Sequence, residues 1–255
     1  MLNYSPDSYV TYSYREIATS VDGAELPINV YEPAVKNSFN ETAVVCIHGG
    51  GWTSKLKAGK EWQADWMRHN AALLASLGYF AVEITYRSIA DTDIKSIIAD
   101  VRTAFETVKN VIMPRHGLKK MHALGDSAGG HLVLMSAIFD DVSLRPEKAV
   151  ACNPVSDLTD AKWQLGNATN ETRREVSPLY RNDKTDTEIF IIHGEKDQTV
   201  PIEFSHKLHV HLNSIGNKCS FEVLPEAVHA FILYGYKTPT DKVNEYMEKV
   251  LAYLA

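Results

Sequence analysis

Apolar residues along the chain fall into two recurring patterns. Short runs rich in Val, Ile and Ala alternate with longer segments whose apolar residues stand three and four apart. Residues 43–47, Ala-Val-Val-Cys-Ile, are an unbroken apolar run closed by three glycines. That is the pattern of a strand buried on both faces of a parallel sheet. Similar runs predict strands over 79–86, 121–124, 149–152, 188–193 and 220–224. Helices are predicted between and after them. The first covers 70–77 and is closed by Gly78; another covers 127–139, a third 202–215 and a last one 243–254. The clearest periodicity is over 94–111, where Ile94, Ile97, Ile98, Val101, Ala104, Phe105 and Val108 share a face. Pro114 and Gly117 are expected to end that helix. Ahead of the alternation, residues 9–17 and 26–31 flank the turn signal Val21-Asp22-Gly23 and read as an antiparallel hairpin.

Strands alternating with helices predict an α/β fold, a mostly parallel central sheet covered by helices on both faces. Residues 1–255 read as one such domain. One stretch breaks the rhythm: residues 154–187 are polar and long for a plain connection. They are expected to form an insertion, a small cap over the site.

Composition narrows the function classes. A chain of 255 residues buries enough surface to stand without disulfides or a structural metal. The net charge of −6 disfavours nucleic acid and anionic membrane as general partners. Cys46, Cys152 and Cys219 include no Cys-x-x-Cys pair, and Cys46 and Cys152 fall at apolar, strand-like places, so buried free thiols are expected. The histidines show no metal-ligand spacing, and neither a metal nor a cofactor is expected. No run reaches membrane-spanning length and the first residues carry no secretory pattern, so the expected location is cytoplasmic.

The chemistry lies in three places. Gly125-Asp126-Ser127-Ala128-Gly129 matches Gly-x-Ser-x-Gly between a predicted strand and a predicted helix, the setting of a nucleophile elbow. Ser127 would project its hydroxyl from a strained turn, with the N–H groups of the next helix aimed at developing negative charge. His48-Gly49-Gly50-Gly51-Trp52 follows the strand at 43–47. Such a loop brings backbone N–H groups to an oxyanion, and Gly50 or Gly51 together with Ala128 are the expected donors. His48 reads as a brace for this loop. Trp52 either lines the substrate pocket or packs the loop, and it is carried forward as a substrate-binding candidate. The third element is the acid and base. Chain order places Asp197 on the loop after the strand at 188–193 and His229 on the loop after the strand at 220–224. Glu195 is the alternative acid. His193 reads as a packed residue at a strand end, and His206, His209 and His211 as residues of a helix surface or packing face.

Together these residues resemble the α/β-hydrolase superfamily. Within it they are similar to bacterial esterases of the hormone-sensitive-lipase type, with xylan acetyl esterases and feruloyl esterases nearby. Tyr86-Arg87 and Ser177-Pro178 resemble further family features. The resemblance implies Ser127, Asp197 and His229 as a catalytic triad and the Gly50, Gly51 and Ala128 amides as an oxyanion hole. It also implies a serine carboxylesterase for short-chain acyl esters, including acetyl or feruloyl groups on carbohydrate. Two features depart from that pattern. Strand pattern begins near Tyr9 where the relatives carry a helical cap, and Tyr86-Arg87 continues as Ser88-Ile89-Ala90-Asp91. An arylformamidase or other small-molecule amidase would carry the same residues. A non-catalytic binding protein of this fold usually loses one of them.

Overall fold

The computed structural model describes residues 2–6, 12–53 and 63–255. β1 (Tyr14–Thr19) and β2 (Glu25–Tyr31) form the antiparallel hairpin, in register from Tyr14 opposite Val30 to Thr19 opposite Glu25. The expected first strand starts at residue 9. Residues 9–11 lie outside the described residues, and the described strand begins at Tyr14. β3 (Thr42–Ile47), α1 (Gln63–Ser76) and β4 (Phe80–Ile84) follow. Then come α2 (Ile94–Thr107), α3 (Met113–His116), β5 (Lys120–Asp126) and α4 (Ala128–Ser136). The chain closes with β6 (Lys148–Cys152), α5 (Asn170–Glu175), β7 (Glu188–Gly194), α6 (Ile202–Ser214), β8 (Cys219–Leu224) and α7 (Thr240–Leu254).

The eight strands form one sheet in the order β1-β2-β4-β3-β5-β6-β7-β8. β2 pairs antiparallel with β4, and every pairing from β4 onward is parallel. After β3 the chain steps outward to β4, then crosses back over β3 to β5. Connections from β3 and β5 therefore leave in opposite directions, and a crevice opens beyond their carboxyl ends, where α/β sheets hold ligands. The glycine loop follows β3 and Ser127 follows β5, so the topology delivers both motifs to that crevice.

β3 shows why its run is unbroken. Val44 and Cys46 pack with Met67, Ala71 and Leu74 of α1 and with Val243, Met247 and Val250 of α7. Ala43, Val45 and Ile47 pack on the other face with Val101 and Phe105 of α2, Leu132 and Val133 of α4 and Leu208 of α6. Each face of the sheet thus has its own core. All three cysteines are buried free thiols.

One local expectation is corrected, and one segment gains a detail. The amphipathic helix does not end at Pro114. Asp93 caps α2 by accepting from the Ser96 N–H at 2.9 Å. After Thr107 the helix widens into a π-turn over Val108–Ile112 and continues as α3, with Pro114 in its first turn. The wider turn removes the need for the proline's missing N–H and relieves its clash with the preceding turn. Gly117, at φ 66°, ends the helix. The insertion between β6 and β7 is polar by composition, yet it is seated in the core by Val155, Leu158, Leu165 and Val176. Arg173 ties it together internally, donating to the carbonyls of Leu158, Trp163 and Ala168. No helix among the described residues is long and apolar enough to cross a membrane.

Candidate active site

The elbow explains its own glycines. Ser127 sits at φ 56°, ψ −118°, a backbone conformation that side-chain-bearing residues avoid and that persists only where surroundings enforce it. Its N–H donates to the Cys152 carbonyl at 2.9 Å and its carbonyl accepts from the His131 N–H at 3.0 Å. The turn brings backbone against backbone. A Cβ on Gly129 would lie 2.1 Å from the Ile47 carbonyl oxygen, and one on Gly125 would lie 2.5 Å from the Gly129 carbonyl oxygen. Glycine at both positions is a steric requirement of the close approach of β3, β5 and α4.

His229 reaches Ser127 from the loop after β8. Its Nε2 lies 3.0 Å from the Ser127 Oγ, and its Nδ1 lies 2.7 Å from the Asp197 Oδ2. Asp197 is held by the loop that follows β7. Its Oδ1 accepts from the N–H groups of Thr199 at 2.7 Å and Val200 at 2.9 Å. An ionised Oδ2 accepts only, so Nδ1 carries the imidazole proton and Nε2 is free to accept from the serine hydroxyl. Glu195, the alternative acid, is exposed and does not meet His229.

The electrostatics follow from this geometry. Burial pushes the Asp197 carboxyl upward. Hydrogen bonds from His193 and His229, the His229 charge and the Val200 N–H more than reverse that, leaving it well below the usual carboxylate range. Burial depresses His229, but its hydrogen bond to Asp197 and the charges of Asp126 and Asp197 win, so its pKa stands above the ordinary 6.5. The base must be neutral to accept a proton. Turnover is therefore expected to fall as pH drops through a value above 6.5, which a pH profile of kcat/KM checks.

The glycine loop adopts left-handed backbone at three successive residues, Gly50 (φ 101°), Gly51 (φ 64°) and Trp52 (φ 58°). It is fastened from outside. The buried Tyr86 hydroxyl donates to the His48 carbonyl at 2.8 Å, with the Gly49 carbonyl 3.3 Å away, and its ring stacks on His48 at 4.3 Å. Arg87, the next residue, anchors the end of β4 by donating Nε and Nη2 to Asp100 of α2 at 2.8 and 2.7 Å. Tyr86→Phe leaves a buried carbonyl short of its donor, which costs about 1–3 kcal/mol. It is expected to lower kcat roughly tenfold, with KM little changed. Steady-state kinetics beside a thermal melt checks this.

The reading of Trp52 as a substrate-binding residue is corrected. Its indole is buried, donates Nε1–H to His131 Nδ1 at 3.1 Å and meets Trp163 edge-on at 6.0 Å. His131 in turn donates Nε2–H to the Val176 carbonyl at 2.8 Å. Burial holds its pKa down to about 4, in keeping with a neutral ring that accepts on one side and donates on the other. This chain of contacts joins the glycine loop, α4 and the insertion. His193, expected only to pack, is fully buried but also supports the acid. Its Nε2 donates to the Val200 carbonyl at 3.0 Å, the Asp197 Oδ2 lies 3.4 Å away, and Nδ1 accepts from the Ser205 hydroxyl at 2.7 Å. A histidine at the end of the strand that leads into the acid's loop is the available signal.

A cleft of about 380 Å³ reaches His229 between Lys196, Gln198, Thr199, Val228 and Lys237. A larger groove of about 830 Å³, between residues 89–99 and 165–172, touches none of Ser127, Asp197 and His229. Its size does not bear on the reacting groups. Among the described residues, no group of three or more His, Cys, Asp and Glu gathers in a way that would hold a metal ion.

Comparison with known proteins bears on the family and the fold. Residues 28–157 match the BD-FAE family, and residues 116–255 match the prolyl oligopeptidase family. The chain is 28% identical over 217 residues to LipM of Mycobacterium tuberculosis, named a probable carboxylic ester hydrolase, covering 74% of this chain and 49% of LipM. It is 27% identical over 217 residues to the esterase LipQ of the same organism, covering 74% of this chain and 50% of LipQ. The chain thus spans about half the length of these curated relatives. Among solved structures it is similar to a thermophilic esterase, Est2, of Thermogutta terrifontis. The propionate-bound form superposes with a TM-score of 0.76 at 23% identity, over 95% of this chain and 94% of that one. The butyrate-bound form gives the same values.

Proposed function

The chain belongs to the BD-FAE and prolyl oligopeptidase families of α/β-hydrolases, and we propose that it is a serine carboxylic ester hydrolase for short-chain acyl esters, working through an acyl-enzyme intermediate. The observation that carries this reading is His229 bridging the Ser127 Oγ at 3.0 Å and the Asp197 Oδ2 at 2.7 Å. Ser127 attacks the ester carbonyl while its proton passes to His229 Nε2, and Asp197 stabilises the resulting imidazolium. The carbonyl oxygen becomes an oxyanion. Ala128 N–H, at the start of α4, and the amides of the Gly50–Gly51 loop are the donors to it, and losing one such donor typically costs about 3–4 kcal/mol. The intermediate collapses as His229 protonates the departing alcohol oxygen. A water molecule, deprotonated by the same histidine, then releases the acid and restores Ser127.

Two features support this reading, the first an ester and the second a small acyl group. LipM and LipQ are named as ester hydrolases. Est2 holds propionate and butyrate in its structures. Acetyl or feruloyl groups on carbohydrate are substrates of the proposed class. The test is hydrolysis of p-nitrophenyl esters from acetate to long chains, with a p-nitroanilide as the amide comparison. Rates falling steeply beyond butyrate are expected. A flat or rising series would overturn the short-chain reading, and faster anilide than ester turnover would overturn the ester.

A further inference from the structure

Among the described residues, the mechanism above leaves a buried carboxylate beside the nucleophile without a task. Asp126 precedes the nucleophile at the end of β5 and is fully buried. Among the described residues neither of its side-chain oxygens has a hydrogen-bond partner. A carboxylate removed from water with no partner is strongly disfavoured, and chains rarely retain one without a use. Asn153, at the end of the neighbouring strand β6, faces it. The Asn153 side chain is itself buried, its Oδ1 accepts from the Gly194 N–H at 2.9 Å, and its backbone takes a left-handed φ of 42°. The Nδ2 amide lies close enough to favour charge on Asp126 but outside hydrogen-bonding geometry. The other groups acting on Asp126 are His229 and Asp197, and its charge in turn acts on the Cys152 thiol.

We propose that Asp126 is a positioning residue for the general base: a second carboxylate that faces the His229 imidazolium formed when Ser127 gives up its proton. This rests on reading Ser127 and His229 as nucleophile and base. Among the described residues, three charged groups act on the His229 ring. Asp197 does so from the loop after β7, Asp126 from the end of β5, and Lys237 from the segment before α7. The two carboxylates favour the charged ring and the ammonium opposes it. Burial, helped by the Asp197 charge and opposed by His229 and Asn153, pushes Asp126 up to about 7. The charge on the buried carboxyl and the charge on the base each act on the other, so the two groups do not titrate independently. While His229 is neutral, the ionised Asp126 gains little from it. Once the ring is charged, the two attract in a medium of low dielectric. That attraction is made in the transition state and not in the ground state, which is the condition for it to accelerate the reaction.

Asp126→Asn keeps the shape and removes the charge. The acid limb of kcat/KM for p-nitrophenyl acetate is expected to move down by about half to one pH unit. At the plateau kcat should fall roughly threefold to tenfold with KM unchanged. The melting temperature supplies a second readout with the opposite sign. A carboxyl whose pKa is higher folded than unfolded destabilises the fold as pH rises from about 4 through 7. Asparagine removes that cost, so the variant should melt higher than wild type at pH 8 and equally at pH 4. A purely structural Asp126 would move the melt and leave the acid limb where it was; coincident limbs overturn the proposal. Nitrogen-15 NMR of the His229 ring in the unmodified protein tests the same coupling without a variant and without turnover. Two titration steps are expected, and a single step overturns it. A protein with no esterase activity at all would refute the functional reading, and the ring titration would still decide the coupling.

Discussion

Ser127→Ala is expected to lower kcat on a short-chain ester by about 10⁶-fold while leaving the fold intact. The magnitude follows from the relay acting as a unit. Without Oγ there is no atom for His229 to deprotonate, and the remaining rate comes only from the glycine loop, the α4 N-terminus and binding. The fold should survive for a structural reason. The strain at φ 56°, ψ −118° is a backbone strain that alanine bears as serine does. Among the described residues, the side-chain bond lost is the one between Oγ and His229. A single hydrogen bond of that kind contributes about 1 kcal/mol net, so the melt should shift by a few degrees at most. Two measurements check the prediction: initial rates against the uncatalysed reaction, and covalent labelling by a reactive phosphonate, which should mark wild type and spare the variant. Turnover in Ser127→Ala within tenfold of wild type would remove Ser127 as the nucleophile.

The parts of the fold legible in the sequence are those that obey local rules. Residues 43–47 must be apolar throughout because β3 is covered by α1 and α7 on one face and by α2 and α4 on the other. Gly125 and Gly129 mark the elbow because backbone passes within contact of both. Chain order alone points to Asp197 and His229, each on the loop after a strand. The structure sets His229 within hydrogen-bond reach of both Asp197 and Ser127. What stays hidden depends on contacts between distant segments. The phenol of Tyr86 fastens the loop at His48, and the indole of Trp52 ends on His131. Neither pairing leaves a periodic trace in the chain, so the sequence leaves Trp52 open between substrate contact and packing, and its indole is found buried against His131. The seating of the insertion is hidden in the same way. Four apolar residues spread through a polar stretch carry its seating, and composition averages them away. Pro114 reads as a stop because the rule against proline assumes an unbroken α-helix, and the π-turn at Val108–Ile112 suspends that assumption.

Asp197→Asn should lower kcat by about 10⁴-fold with KM nearly unchanged, although the two side chains have the same shape. The backbone around residue 197 decides how asparagine sits. The Oδ1 position accepts from two N–H groups, those of Thr199 and Val200, so the amide oxygen must take that place. The NH₂ then points at His229 Nδ1, where the Asp197 Oδ2 stood at 2.7 Å. A donor facing Nδ1 makes that nitrogen the acceptor and moves the ring proton to Nε2. The nitrogen facing Ser127 is then a donor and cannot take the hydroxyl proton. Turning the amide over would set NH₂ against two backbone donors, so the protein has no cheap escape. Stability should change as well, and its sign is fixed by the depressed pKa of Asp197. A carboxyl held below its unfolded value stabilises the fold above that value, near 3.8, and loses the contribution as pH falls toward the folded one. An asparagine there lacks that contribution, so the variant should melt below wild type at pH 7, and the gap should close on acidification. Glu195→Gln, which changes an exposed carboxylate that does not meet His229, should leave both the rate and the melt near wild type. If it were instead the Glu195 variant that lost four orders of magnitude, the acid would have to be reassigned, and with it the reading of the loop after β7.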